Sequence, residues 1–246
     1  MRVLLTIAYD GTAYAGWQRQ ENALAVQQVV EEALASLIGC AVTLTAASRT
    51  DAGVHALGQR AAFNVEGLRI PLNKLPRVLN GLLPADISVS HAQAVPQDFN
   101  PRFAARFKTY RYQIWNASVP NPMYNRYSAF INQPLDILAM QKAARHFIGR
   151  HDFAAFCATG GSAKTTVREI YTCTISQAEN LITLEITGNA FLYNMVRIIA
   201  GTLTYAGLGK INPCIIPDII AARDRTQAGK TMPPQGLTLV EVQFKE

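Results

Sequence analysis

The stretch Ser48-Arg49-Thr50-Asp51-Ala52-Gly53-Val54-His55-Ala56 places one carboxylate two residues after an arginine and two before a glycine. It follows a strand-like run over residues 41–47. In an extended segment, residues i and i+2 point to the same side, so Arg49 and Asp51 can share one face at a strand end. A neighbouring guanidinium favours the ionised form of a carboxylate. Gly53 permits a sharp turn and the close approach of a bulky ligand. The chemistry on offer is that of a held, ionised aspartate, acting as nucleophile or base on an electron-poor carbon. Taken alone, Arg-x-Asp is more often a structural ion pair or a turn cap.

Two other segments carry candidate groups. Lys108-Thr109-Tyr110-Arg111-Tyr112-Gln113-Ile114 alternates as a strand does, with Tyr110, Tyr112 and Ile114 on one face. A tyrosine beside an ionised aspartate can stack under a flat base and offer its hydroxyl; Tyr112 reads as core. Arg197 sits in an apolar helical run over residues 191–205 and needs a partner if buried. Either Arg49 or Arg197 can pair with Asp51. His55 either contacts a phosphate or packs behind the Asp51 loop. Trp17, Arg19, Arg102, Arg106, Arg223 and Arg225 are candidates for contact with a polyanion backbone, though each alone reads as ordinary surface. Asp152, after His151, reads as a turn cap rather than half of a second catalytic pair.

The elements that must position these groups follow from apolar spacing. Strands are expected over residues 3–9, 42–47, 59–65 and 87–94, with helices over 23–38 and 72–82. Asn22 is the expected N-cap of the first helix and Gly39 its stop. A second series follows: strand 107–115, helix 135–148 closed by Gly149, a hairpin of strands 167–175 and 181–187 turned at Glu179-Asn180, helices 191–205 and 217–223, and strand 237–244. Both series read β-α-β-β-α-β, the second with an added helix. This predicts an α+β chain of two ferredoxin-like halves, 1–104 and 105–246, with mostly antiparallel sheets joined across a cleft suited to a large ligand. Two polar loops are long enough to be functional: residues 10–22, with Trp17, Gln18 and Arg19, and residues 157–166. The second, with Gly160-Gly161-Ser162, lacks the pattern of a P-loop.

The 246 residues are 49% hydrophobic and 16% charged, which describes a globular chain rather than a disordered one. Lysine and arginine number 23 against 17 acids, for a net charge of +6. That excess suits a polyanionic partner. The four cysteines form no C-x-x-C pair and the four histidines show no metal-ligand spacing, so neither a disulfide framework nor a zinc site is expected. No run has the length of a membrane span and the N-terminal apolar run is short for a signal peptide, which points to the cytoplasm.

Six ordered blocks resemble the tRNA pseudouridine synthase A family. They are Tyr9-Asp10-Gly11-Thr12 with Gly16-Trp17-Gln18-Arg19-Gln20; Arg49-Thr50-Asp51-Ala52-Gly53-Val54-His55-Ala56; Lys108 to Tyr112; Phe147 to Phe153; Asn189 to Arg197; and Gly236-Leu237-Thr238-Leu239. Ser48 departs from the glycine that many members carry, a small-for-small exchange. The resemblance implies a pseudouridine synthase fold with a central RNA-binding cleft. It implies catalysis by Asp51, Tyr110 meeting the target uracil, Arg197 as the charge partner of Asp51, and Arg49 entering the RNA stack where a base has left it. Trp17, Gln18, Arg19, His55, Tyr110, Arg102 and Leu239 are the expected substrate contacts. The implied substrate is the anticodon arm of tRNA, at uridines 38, 39 and 40. The implied assembly is a homodimer, and the implied reaction uses no cofactor and no metal. A non-catalytic tRNA-binding module or chaperone would keep the basic surface without needing Asp51. A glycosidase would want a second carboxylate, which no other motif supplies.

Overall fold

The computed structural model describes residues 1–161 and 163–244, so Ser162 of the second polar loop lies outside it. In chain order the strands and α-helices are β1 (Arg2–Tyr9), α1 (Val26–Ile38), β2 (Thr45–Ala46), β3 (His55–Asn64), α2 (Leu75–Asn80), β4 (Ile87–Val95), α3 (Pro101–Ala104), β5 (Ala105–Asn116), β6 (Ala129–Ile131), α4 (Ile137–Arg145), β7 (Gly149–Asp152), β8 (Val167–Ala178), β9 (Leu181–Gly188), α5 (Met195–Gly207), α6 (Ile216–Ala222) and β10 (Leu237–Phe244). The chain divides into two compact units: Met1–Arg106 with the end of the chain from Leu239, and Phe107–Thr238.

In the first unit, β1 lies between β4 and β3 and is antiparallel to both, from Arg2 opposite Val95 and Asn64 to Tyr9 opposite Ile87 and Ala56. β2 adds to β3 through Thr45 and Ala46, giving the order β4-β1-β3-β2 of a ferredoxin-like unit. β10 also borders β3. Val3, Leu5, Ile7 and Phe63 are wholly buried with Val26, Val30 and Leu34 of α1. β4 alternates between buried and exposed positions over most of its length, as a strand with one wet face does.

Helix α1 ends as expected, on Gly39 at φ +85°. Its start differs from the expected one. The N-cap is Ala25, without a side-chain bond, rather than Asn22. The backbone of residues 24–27 is instead tied to the preceding loop: Ala15 N–H donates to Leu24 O at 2.9 Å, Val26 N–H to Gly16 O at 3.1 Å, and Gln27 N–H to Trp17 O at 2.9 Å. Tertiary bonding thus takes the place of a local cap.

In the second unit, the sheet order is β5-β9-β8-β7. β5 is antiparallel to β9, with Tyr110 opposite Ile186, and parallel to the short β6. β8 and β9 form the expected hairpin, with Glu179 taking φ +51° in the turn. Asp136 caps α4 through Ala139 N–H at 3.0 Å. β7 was not anticipated: Gly149-Arg150-His151-Asp152 is four residues long and has no apolar alternation to betray it.

Helix α5 is buried on nearly every side, which its apolar sequence requires. It starts at Met195, four residues later than the pattern predicts, after Asn194 at φ +59°. A loop lies directly along it. A Cβ on Gly201 would collide with the carbonyl of Lys230, and one on Gly229 would collide with the backbone of Gly201 and Thr202. Thr202 Oγ1 donates to Ile198 O at 2.9 Å and accepts from Gly229 N–H at 2.8 Å. Because the colliding atoms are backbone on both sides, neither can yield cheaply. Gly201→Ala is expected to lower the unfolding free energy by about 1–3 kcal/mol, the usual range for overpacking; a denaturant midpoint equal to wild type would contradict this packing.

Candidate active-site residues and their supports

Asp51 opens a four-residue turn closed by Val54 N–H donating to Asp51 O at 3.1 Å. Gly53 occupies the third position at φ +76°, a conformation that disfavours any side chain. Burial alternates through the approach: Ser48 and Thr50 are buried, Arg49 is exposed and Asp51 is half-buried. That is the pattern expected if the two charged residues share the open side of an extended segment.

The loop between β1 and α1 holds this turn from behind. Trp17 N–H donates to Thr50 O at 3.0 Å and Gly53 N–H to Tyr14 O at 3.3 Å. Gly16 takes φ +93°, and a Cβ there would lie 2.6 Å from Thr50 O and 3.1 Å from the carbonyl carbon of Asp51. No residue but glycine allows the two backbones to meet so closely. Tyr9 and Thr50 share a buried hydroxyl bond of 2.7 Å. The wholly buried Gln59 donates to Ser48 O at 2.8 Å, and Ala47 N–H donates to Arg60 O at 2.7 Å. Gln59 was not picked out by sequence reasoning, and Tyr9 and Gly16 were named only within a family-like block without a role, because their contacts with the motif are set by tertiary approach.

The other expected contacts of the first unit fall into two groups. Trp17 is only 2% exposed and lies against Tyr9, ring centroids 5.9 Å apart, so in this structure it braces the loop from inside. His55 is buried too, packed behind the loop. Gly11 N–H donates to its Nδ1 at 3.0 Å, and Asp10 Oδ1 lies 3.1 Å from the same nitrogen. Leu239 is fully buried. Gln18, Arg19 and Arg102 are exposed. Arg19 is tethered at 3.3 Å to the buried Glu31, whose other oxygen accepts from Leu44 N–H at 2.8 Å. The Arg102 guanidinium lies over the ring of the exposed Phe103.

In the second unit, Tyr110, Tyr112 and Ile114 share the buried face of β5, as their alternation predicts. Tyr110 meets Phe191 edge to face, centroids 5.1 Å apart. Tyr112 is core: its hydroxyl donates to Pro233 O at 2.7 Å, and burial raises its pKa well above the phenol range while Arg197 pulls the other way. A Cβ on Gly236 would lie 2.6 Å from the Tyr112 ring, so that glycine makes room for the phenol.

Arg197 is half-buried on the first turn of α5. Its Nε donates to Met232 O at 2.7 Å and its Nη1 to Asn194 Oδ1 at 2.7 Å. Its own carbonyl accepts from Met232 N–H at 3.2 Å. The strained Asn194 and the loop along α5 therefore set the direction of the guanidinium. Arg225, weighed as a backbone contact, serves the same loop by donating to Gly229 O at 3.0 Å and Thr231 Oγ1 at 3.1 Å. Arg223 pairs with Asp152 at 3.1 Å. Asp152 also accepts from Ala154 N–H at 3.2 Å, which is the turn-capping role read from sequence.

Among the described residues, no group of three or more histidine, cysteine or acidic side chains is placed to hold a metal ion, and no helix is long and apolar enough to cross a membrane. A solved structure described as a Cbf5–Nop10–Gar1 complex aligns with 98% of this chain and 50% of that one at 14% identity and a TM-score of 0.39, a likeness too slight to bear on the reading. Full-length relatives are far closer in sequence. A protein named tRNA pseudouridine synthase A from Ruminiclostridium cellulolyticum is 49% identical over 99% of both chains. Proteins of the same name from Caldicellulosiruptor bescii, at 47% over 98% of this chain and 99% of that one, and from Thermoanaerobacter sp., at 48% over 98% of each, are similarly close. The family profile described as tRNA pseudouridine synthase matches residues 5–104 and 143–245, which takes in Arg49, Asp51, Arg197 and Leu239 and leaves Tyr110 in the gap between. With α+β units of mostly antiparallel strands and relatives matched end to end, the chain belongs to the tRNA pseudouridine synthase family.

Proposed function

We propose that this chain isomerises uridine to pseudouridine at positions 38, 39 and 40 of the tRNA anticodon arm, with Asp51 as the catalytic carboxylate. The observation that carries the reading is the Asp51 turn itself, lying inside a family match and fixed by backbone bonds from a separate loop. Rigid support of this kind is what a reacting group needs to hold its geometry.

The reaction breaks the bond from uracil N1 to ribose C1′ and makes one from uracil C5 to the same carbon. The C5 proton leaves and N1 gains one, so product and substrate have the same atoms. Nothing is oxidised or reduced and no group is lost. Asp51 acts either by attacking C1′ or by removing a ribose proton, and both routes need it ionised. Tyr110 is the group assigned to the uracil, as stacking partner and as base for the C5 proton. Arg197, aimed by Met232 and Asn194, is the charge partner of the carboxylate. Arg49, exposed beside Asp51, fills the stack that the flipped nucleotide vacates. The N-terminal half, 1–104, supplies the aspartate, and the C-terminal half, 105–246, the tyrosine strand and the arginine helix. The protein works in the cytoplasm as a homodimer.

Three outcomes test the assignment. Asp51→Asn is expected to abolish pseudouridine formation while tRNA affinity stays within a few-fold of wild type; turnover at a normal rate would sink the assignment and leave a binding module. Tyr110→Phe is expected to slow the single-turnover rate more than it weakens binding, and an equal loss in both would reduce Tyr110 to a stacking platform. Arg197→Ala removes two charge-assisted bonds, each of a kind that contributes about 1.5–3 kcal/mol. It is therefore expected to lower both thermal stability and activity, and an unchanged melting temperature would show that those bonds do not order the loop.

A further inference from the structure

The second unit contains a cavity of about 690 Å³ that none of the roles above uses. Its polar lining is Arg145, His146, Arg150, His151, Asp152 and Arg223, from the C-terminal end of α4, the strand β7 and the residue after α6. Three guanidiniums face one carboxylate. That carboxylate is already engaged, with Oδ2 3.1 Å from Arg223 Nε and Oδ1 accepting from Ala154 N–H. The cavity therefore keeps a positive excess that its own side chains do not neutralise.

Two features bear on its walls. Arg223 takes φ +56° where a helix end usually recruits glycine, a conformation costing an arginine on the order of 1 kcal/mol. The ion pair with Asp152 engages the Nε of this largely exposed side chain, whose two terminal amino groups are further donors. His151 Nε2 donates to Ile148 O at 3.0 Å, which ties the ring to the residue before β7, beside Gly149 at φ +112°.

We propose that this cavity is a non-catalytic contact for the tRNA substrate and takes a backbone phosphate remote from the reacting nucleotide. Guanidiniums match phosphate oxygens in shape and charge. The remaining lining is Ile148, Pro217, Ile220 and Ala221, and the aromatic rings among the described lining residues are the imidazoles of His146 and His151, the second tied to Ile148 O, so the three guanidinium charges dominate and favour the backbone over a base. β7 stands three strands from β5, the strand of Tyr110, which at about 4.8 Å per strand is about 14 Å before any offset along the strands. A phosphate held here positions the RNA without touching the chemistry.

The inference rests on the reading of the chain as a tRNA-modifying enzyme, and the test separates the two. Binding of unmodified tRNA is measured across a salt series for wild type, for Arg145→Ala/Arg150→Ala, and for Lys142→Ala, which removes a charge on α4 outside the cavity. The two replaced arginines are exposed, so the double variant is expected to keep the wild-type melting temperature. It should bind tRNA about tenfold more weakly, with a log–log salt slope shallower by about one unit, as loss of one neutralised phosphate predicts. Lys142→Ala should leave the slope near wild type. A wild-type slope in the double variant, or an equal flattening by Lys142→Ala, overturns the proposal. So does a titration in which inorganic phosphate binds wild type but not the double variant while their tRNA slopes agree, since the site would then serve a free anion. If wild type itself neither binds tRNA nor forms pseudouridine, the enzyme reading falls as well. If it does both and only the variants behave alike, the cavity's role alone is lost.

Discussion

The carbonyl of Thr50 is the point on which the arrangement around Asp51 depends. It accepts from Trp17 N–H, and the same carbonyl lies where a side chain on Gly16 would have to go. One peptide group thus joins the loop after β1 to the turn that presents the carboxylate. The surrounding choices follow from that approach. Gly16 and Gly53 adopt positive φ because the backbones must meet and turn there. Trp17 is buried because the bond to Thr50 draws its own residue inward, and Tyr9 closes the space beneath with its hydroxyl on Thr50. A carboxylate on a free loop would sample many directions, whereas this one stands on backbone pinned from two sides.

The second unit meets the same problem with different means. Its arginine is on a helix, which fixes the backbone but not the several rotatable bonds of a long side chain. The loop of residues 228–233 supplies the missing restraint, lying so close to α5 that Gly201 and Gly229 admit no side chain. Met232 O then accepts from the guanidinium, and Asn194 Oδ1 takes another of its protons. Arg225 holds the loop in turn, so one arginine is spent to aim another. In both units a side chain proposed for the chemistry is short of local support, and a distant segment provides it through main-chain atoms.

That division explains what could be read from the sequence. Local rules were visible: the stop of α1 at Gly39, the hairpin turn at Glu179, the turn at Gly53, and the buried face of Tyr110, Tyr112 and Ile114. Asp51, Arg49, Arg197 and Tyr110 were picked out because a motif and its order survive in one dimension. The rest depends on partners far along the chain. β3 begins at His55 rather than Gln59 because Ala56 pairs with Tyr9. α1 begins late because residues 24–27 are claimed by the loop before them. β7 has no apolar rhythm, since its residues line a charged cavity. Trp17 and Arg225 read as surface because nothing in their spacing encodes what packs over them.

The placement of β10 has a consequence for biosynthesis. This strand is the last in the chain, yet it lies beside β3 and belongs from Leu239 onward to the first unit. Gly58 marks the closeness of that pairing, since a Cβ there would strike the carbonyl of Val240. A nascent polypeptide that has left the ribosome only as far as Arg106 cannot finish its own sheet. Part of one border of β3 stays unpaired, and such a border is a template for foreign strands. The amino-terminal portion therefore stays incomplete until residues 239–244 have been translated, and a change that disrupts that late strand would damage the portion made first.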